Sequence, residues 1–426
     1  MAQTRVRAEA ATLVRTRTDC RMCGGTALMR VWSFGPTPLA NAYLTPEEAG
    51  HRSEPLIPLD VYYCSDCHLV QLRDVVSPEM LFSNYLYISS TSPTFVRHFE
   101  EYADTLVRRF GLTEKSMVVD VGSNDGVLLK PLQAAGARVL GIDPAANVAK
   151  MANEAGIETV AAFFTPALAA VVAEERGRAA VICANNVFAH TDTVEVFTAA
   201  VKELMAPDGV FVFEVQYLGD LVAKNLFDIV YHEHVCYYSL HPLVRFFGQH
   251  GMNVFDVERP PVHGGSLRVY VQHAGGPHAR ATRLDALLDE EQQAGLTSAA
   301  AYQQFARRIE NNKAALLAML HELKRTGKRI AGYGAPAKAT TLCYALGIDG
   351  TVLDYIADDD ATFKQGRLMP GTHIPIVSPQ ELYGSDKPDY CLILAWNFAE
   401  PIRRNHQRFT EQGGRFIMPV PEPKII

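Results

Sequence analysis

No apolar run in the 426-residue chain approaches the ~18–20 residues that a membrane-crossing helix needs, so no membrane partner is expected. The N-terminal stretch MAQTRVRAEAATLVRTRTD has arginines but no apolar core of the kind that marks a secretory signal. It reads as a frayed tail rather than a transit peptide, and the expected location is the cytoplasm. Positive charge is also scarce. The 40 Lys and Arg face 47 Asp and Glu, and the net charge of −7 excludes a broad nucleic-acid footprint. A small anion held by a few local Lys and Arg side chains remains open. With no secretion signal the eight cysteines should be reduced, and disulfides are not expected. No internal repeat or low-complexity tract stands out.

The chain is too long for one ordinary core, and its texture changes twice. Residues 1–85 are rich in Cys, Pro and turn signals, with short strand-like pieces such as PLDVYYC. Residues 86–280 alternate strands (SMVVDVGS, ARVLGID, AAVICAN, GVFVFEV, then MNVFDVER and SLRVYVQH) with helices. That alternation predicts a Rossmann-like parallel α/β sheet. Residues 281–426 open on a stretch, 282–327, that reads as helical throughout. They then restart the alternation with KRIAGYGA, a helix from PAKATTLCYAL, LDYIADD and YCLILAW. A second, smaller Rossmann-like α/β domain follows from this.

Four cysteines sit as CRMC (Cys20, Cys23) and CSDC (Cys64, Cys67). Two such pairs fit a tetrahedral zinc site of four thiolates, one knuckle from each pair. A redox motif would need only one pair at a helix start. Four thiolates leave no position open to water, so the expected role is stability, and His68 beside Cys67 reads as a bystander.

VVDVGSNDGVLL places a glycine turn between a strand and a helix. The second glycine of a G-x-G-x-x-G nicotinamide fingerprint is replaced by Asn124, so that fingerprint fails. The pattern of Asp120, Gly122, Asn124 and Gly126 resembles instead the first motif of S-adenosylmethionine-dependent methyltransferases. Asp143, ending the next strand in GIDP, is placed to accept ribose hydroxyls. Asn185, Asn186 and His190 of CANNVFAH would end the fourth strand beside the adenine and the sulfonium. The PDG of ELMAPDGVFVFEV reads as a turn before the next strand.

YHEHVCYYSL (231–240) has His232 and His234 two residues apart, so it is not a helical zinc-protease motif, which needs four. It follows the strand FVFEVQ by one short helix and can fold over the carboxyl edge of the sheet. The four-cysteine module, VGSNDG, YHEHVCYYSL, VHGGSLRVY and GYGAPAKATTL together resemble the sugar C-methyltransferases of deoxysugar biosynthesis over nearly the whole chain.

The resemblance implies a class I methyltransferase domain at the centre. It implies methyl transfer to a ring carbon, C3 favoured over C5, next to the ketone of a nucleotide-linked sugar with dTDP favoured. It implies His234 as the base that forms the enolate, with Tyr231 and Glu233 lining the same pocket and a tyrosine from the end of the N-terminal module, Tyr85 favoured over Tyr87. His232 is the weaker histidine, and Tyr237 and Tyr238 are packing. His263, Ser266 and Arg268 would contact the sugar and diphosphate. Tyr333 and Lys338 would meet the nucleotide diphosphate at the second glycine turn, where helix-start N–H groups favour an anion. The expected state is a monomer or weak homo-oligomer. A nicotinamide-dependent sugar epimerase or dehydrogenase using residues 328–345, with Ala337 in place of the third glycine, and a non-catalytic zinc-containing binding protein are the alternatives.

Overall fold

The computed structural model describes residues 14–83 and 88–426. Tyr85 and Tyr87 lie outside the described residues, as does the side chain of His263. The N-terminal strands are β1 (Val14–Thr16), β2 (Leu28–Thr37), β3 (Ile57–Cys64), β4 (Val70–Leu72) and β5 (Asp74–Val76). β2, β3 and β4 form an antiparallel meander, and β1 pairs with β5 in a separate ribbon. Alternation explains β3: Ile57, Leu59, Val61 and Tyr63 are buried, while Pro58, Asp60 and Tyr62 face the less covered side.

The central strands are β6 (Met117–Val121), β7 (Arg138–Asp143), β8 (Thr159–Ala161), β9 (Ala179–Asn185), β10 (Met205–Gln216), β11 (Cys236–Tyr237), β12 (Met252–Glu258) and β13 (Ser266–His273). Seven of them make one sheet in the order β12-β13-β10-β9-β6-β7-β8. β6 to β10 run parallel, and β12 and β13 close one edge antiparallel. Covered on both faces, β6 is apolar on both sides rather than alternating, and all of MVVDV is buried, the single polar residue Asp120 included. Strand order reverses at β6, whose neighbours are β7 and β9, and this leaves a crevice at their carboxyl ends. The predicted PDG turn lies within β10, where the pairing with β9 jumps from Met205 to Val210. The remaining strand, β11, stands apart from the central sheet and pairs with β4, so Cys236 and Tyr237 of the YHEHVCYYSL segment complete the N-terminal sheet.

The stretch 282–327 is two helices, Thr282–Gln293 and Ala299–Arg325. Gly295, at φ +73°, takes a left-handed turn between them, and Ser298 caps the second by accepting from the Ala300 N–H. Beyond lie β14 (Ile330–Tyr333), β15 (Ile356–Ala357), β16 (Ile376–Val377), β17 (Tyr390–Ile393), β18 (Arg415–Met418) and β19 (Lys424–Ile425). They order as β16-β15-β14-β17-β18-β19, parallel except for the last pair.

One apolar core joins all three regions. Val61 and Leu72 of the N-terminal sheet, Phe227 and Ile229 ahead of the YHEHV stretch, Phe305 and Ile309 of the long helix, and Leu342 behind the second glycine turn belong to it. Trp32 meets Phe305 edge-on with ring centroids 5.2 Å apart. Each buried side chain of this size contributes about 1.5–3 kcal/mol, so the regions hold one another in a fixed relation. No helix among the described residues is long and apolar enough to cross a membrane.

Candidate active site

A cavity of about 1670 Å³ runs from the carboxyl ends of β6, β7 and β9 to that of β14. At its first end Gly122 has φ +69°, and a side-chain carbon there would sit 2.2 Å from Val187 Cγ2, so only glycine fits. Asp143 braces the turn: its carboxylate accepts the Asn124 N–H at 2.9 Å and the Ala145 N–H at 2.8 Å. Burial, with Asp143 nearby, pushes Asp120 up to about 8. Asp120, Gly122, Asn124, Asp143, Asn185, Asn186 and His190 all line the cavity. Asp120 Oδ1, Ser123 Oγ and both polar atoms of the Asn185 amide line it buried and without a partner among the described residues. Buried polar groups are normally paired, so these unpaired donors and acceptors fit a polar ligand such as the nucleoside and amino-acid ends of S-adenosylmethionine.

At the middle, the short 3-10 helix Phe227–Ile229 leads into a turn in which the His234 N–H donates to Tyr231 O at 2.9 Å. His234 Nδ1 lies 2.7 Å from Ile229 O. A carbonyl only accepts, so Nδ1 carries the proton and Nε2 keeps a free lone pair. Burial pushes His234 down to about 4, which keeps the ring neutral near pH 7. The Tyr231 ring lies against it at 4.1 Å and the His190 ring at 4.8 Å between centroids. Both Tyr231 and His234 line the cavity. His232 does not; its Nε2 donates to Ile57 O at 3.1 Å behind the wall. Tyr237 and Tyr238 are buried among apolar side chains.

At the far end Gly334, at φ +84°, leaves no room for a side chain, whose first carbon would stand 2.5 Å from Ala395 Cβ. The helix Ala337–Leu346 begins there. Lys338 Nζ donates to Asn397 Oδ1 at 2.6 Å and stands 3.6 Å from the Trp396 ring centroid. Burial pushes it down to about 8, against the pull of Asp228. Tyr333 donates its hydroxyl to Asp359 Oδ2 at 2.8 Å and lies 2.6 Å from His406 Nε2. Tyr333, Lys338 and Asp358–Asp360 line this end.

Three expected site residues lie elsewhere. Arg268 is not at the cavity. It sits directly across from Glu214 in the β10–β13 ladder, pairs with it at 2.9 Å and with Glu258 at 3.2 Å, and covers the Tyr102 ring at 3.8 Å. A guanidinium so committed holds the sheet together, and Arg268→Ala, which leaves Glu214 buried beside His98 alone, should cost about 3 kcal/mol in a denaturant titration. An unchanged midpoint would contradict that role. Ser266 is fully buried, its hydroxyl 3.2 Å from Val262 O, and is equally remote. Glu233 stands one layer behind the wall, where its carboxylate accepts from Asn41 Nδ2 at 2.6 Å. Sequence reasoning missed Asn41, Tyr43, Ser123 and Asn397, all of which line the cavity. For Ser123, beside the glycine turn, the signal was there; for Asn41 and Tyr43, in a turn-rich loop, there was none.

The four sulfurs of Cys20, Cys23, Cys64 and Cys67 lie within 4.8 Å of one another, with 3.4 Å between Cys20 and Cys67 and 3.6 Å between Cys23 and Cys64. Zn–S bonds of about 2.3 Å make a tetrahedron with edges of about 3.8 Å, so the set fits zinc. His68 turns aside, its Nδ1 2.6 Å from Tyr63 Oη. Arg21, between Cys20 and Cys23, is buried. It pairs with Asp192 at 2.9 Å, two residues past His190, and with Gln71 Oε1 at 3.0 Å and Leu72 O on β4. The metal knuckle thus braces the loop that carries His190.

Residues 20–82 match the family model described as "Putative zinc binding domain", 95–257 match "Methyltransferase domain", and 261–421 match "C-methyltransferase C-terminal domain". The C-methyltransferase NovU of Streptomyces niveus is 40% identical over 97% of this chain and 98% of its own. A ubiquinone biosynthesis O-methyltransferase of Azorhizobium caulinodans is 29% identical over 26% of this chain and 46% of its own. The solved magnesium protoporphyrin IX methyltransferase of Synechocystis PCC 6803 is 16% identical, covering 41% of this chain and 82% of that one at a TM-score of 0.33. The nicotinamide-dependent and non-catalytic alternatives give way to the family-model matches and to the similarity to NovU. The chain belongs to the C-methyltransferases, enzymes that depend on S-adenosylmethionine, and it carries a zinc site in its N-terminal module.

Proposed function

We propose that this enzyme methylates a ring carbon, C3 favoured, next to the ketone of a nucleotide-linked 4-keto-6-deoxy sugar, dTDP favoured as the nucleotide, within deoxysugar biosynthesis for a natural product. One observation carries the reading. A single cavity holds both a neutral acceptor nitrogen, His234 Nε2, and a glycine turn with Lys338 at its helix start. The first suits removal of a proton from carbon, the second suits an anion.

Bound S-adenosylmethionine supplies an electron-poor methyl group that a carbon nucleophile can take. Asp120, Gly122, Asn124, Asp143, Asn185, Asn186 and His190 would hold it. The acceptor carbon is not nucleophilic until it loses a proton. His234 Nε2 takes that proton, and the bonding pair moves toward the ketone as an enolate. The imidazolium that results stays anchored through Nδ1–H to Ile229 O. Tyr231 packs on the ring and fixes its plane, and Tyr85 is the further tyrosine proposed for this pocket. Burial of His234 keeps bulk water from competing for the proton.

Lys338 gives this reading a pH signature. Its ammonium loses its proton near pH 8, so the diphosphate loses a cationic partner above that point. KM for the nucleotide sugar should be flat up to about pH 7.5 and climb past 8, while the affinity for S-adenosylmethionine stays level. Lys338→Arg, charged throughout, should flatten the climb, and a climb that survives that change would count against Lys338. The function itself is tested by incubating the purified enzyme with radiolabelled methyl donor and a panel of nucleotide-linked 4-ketosugars. Label in a sugar ring carbon is expected, and none from any panel member overturns the reading.

A further inference from the structure

The loop 39–44 of the N-terminal module meets the rest of the molecule at four closely spaced positions, 40, 41, 43 and 44. Ala40 O accepts from Thr340 Oγ1 at 2.8 Å, and Tyr43 Oη donates to Ala335 O at 2.6 Å. Leu44 exchanges backbone hydrogen bonds with Leu368 at 3.3 and 2.8 Å. Those contacts hold the loop against the second glycine turn and its helix. Between them Asn41 donates from Nδ2 to Glu233 Oε1 at 2.6 Å, and Glu233 directly precedes His234. Asn41 lines the cavity with Tyr231 and His234, whereas Glu233 does not.

Burial raises Glu233 to about 7 and the bond from Asn41 Nδ2 pulls it back toward the carboxylate, which only accepts, so the Nδ2 end of the Asn41 carboxamide faces it. One N–H is committed to Glu233. The other N–H and the amide oxygen are the remaining donor and acceptor, a complementary pair for a hydroxyl or amine on a sugar ring. The flanking contacts of Ala40, Tyr43 and Leu44 immobilise the backbone that presents them, and a pre-set contact of this kind is what holds a reacting atom at a base.

We propose that Asn41 is a substrate-positioning residue: its carboxamide, oriented by Glu233, holds a polar substituent of the sugar ring so that the acidic C–H meets His234 Nε2. The proposal rests on the sugar reading above and names a contact within it.

The test compares Asn41→Ala, the near-isosteric Asn41→Asp, Glu233→Gln, and the Asn41→Ala/Glu233→Gln double variant with the wild type. Initial rates with a nucleotide-linked 4-ketosugar, calorimetry of S-adenosylmethionine and thermal melts are the readouts. Both Asn41 variants should raise KM for the sugar about tenfold and lower kcat, with donor affinity within about twofold of wild type. Glu233→Gln should cost less, and adding it to Asn41→Ala should cost nothing more, because Glu233 acts through Asn41. A merely structural role would lower the melting temperature and multiply the two effects. Should Asn41→Ala fail to fold, Asn41→Asp decides by the same criterion. Wild-type turnover with unaltered sugar kinetics in a folded Asn41 variant overturns the assignment alone, and so does full multiplication in the double variant. A wild type that methylates no ketosugar overturns the sugar reading and the assignment with it.

Discussion

His234→Asn should turn over at least about a hundredfold more slowly than the wild type, the usual worth of a positioned general base. Asparagine keeps a similar shape, and its amide can still donate to Ile229 O, but it has no basic nitrogen where Nε2 stood. Affinity for the methyl donor and for the nucleotide sugar should therefore stay within about twofold. Exchange of the ring C–H with deuterated water, if the wild type catalyses it without donor, should stop in the variant. The pH profile adds an independent check. Burial depresses His234 to about 4, so the ring is unprotonated and competent from pH 5 upward, and the rate should not fall as pH drops through the ordinary histidine range near 6.5. Tyr231→Phe and Glu233→Gln should cost less, because they orient or pack rather than take the proton. Near-native turnover in His234→Asn, or a larger loss in His232→Asn, would remove His234 from its role. His232, which donates to Ile57 O behind the wall, does not line the cavity.

Cys64→Ser should produce the largest loss of stability. One thiolate of four is replaced by a hydroxyl that stays protonated, and a tetrahedral site with three strong ligands lets zinc go. Binding in structural zinc sites is worth about 10–16 kcal/mol, most of it expressed as folding free energy, so even partial loss exceeds the effect of an ordinary core substitution. Metal analysis should fall from one zinc per chain to near none, and the thermal transition should drop or vanish. Turnover should fall with it, because Arg21 sits inside the first cysteine knuckle and ties Asp192 to β4. Stoichiometric zinc with a wild-type melt in Cys64→Ser would overturn this. So would folded wild-type protein that contains no zinc as purified.

Much of the architecture was legible because its signals are local. Strands buried on both faces read as largely apolar runs, and two of them, β6 and β14, are followed by glycine turns at Gly122 and Gly334, where the backbone allows little else. The two C-x2-C pairs are equally local. The break at Gly295–Ser298 was readable too: a glycine and a serine cap stand in the sequence, but the absence of proline concealed them. What escaped was set by partners far along the chain. Arg268 reads as a free cation near a glycine pair, and only the register opposite Glu214 reveals that it is spent within the sheet. Asn41 sits in a turn-rich loop with no periodicity, and Glu233 gives it meaning only from nearly two hundred residues away. Two-residue β11 carries no pattern of its own, so its pairing with β4 had no sequence signature.

That last pairing bears on the order in which the protein is made. The cysteine knuckles and β2 to β4 leave the ribosome early and can take up metal at once, yet the outer edge of β4 is covered only when Cys236 and Tyr237 arrive. Until then a nascent chain displays an unpaired strand edge, the kind of surface that invites association with other chains. β4 is only three residues long, which limits how much an intruding strand could gain there. When β11 docks, the same event that closes this edge brings His234, two residues upstream, to its place. Closure of the metal-bearing sheet and placement of His234 are thus coupled in one event, ahead of the far end of the cavity, which waits for Tyr333 and Lys338.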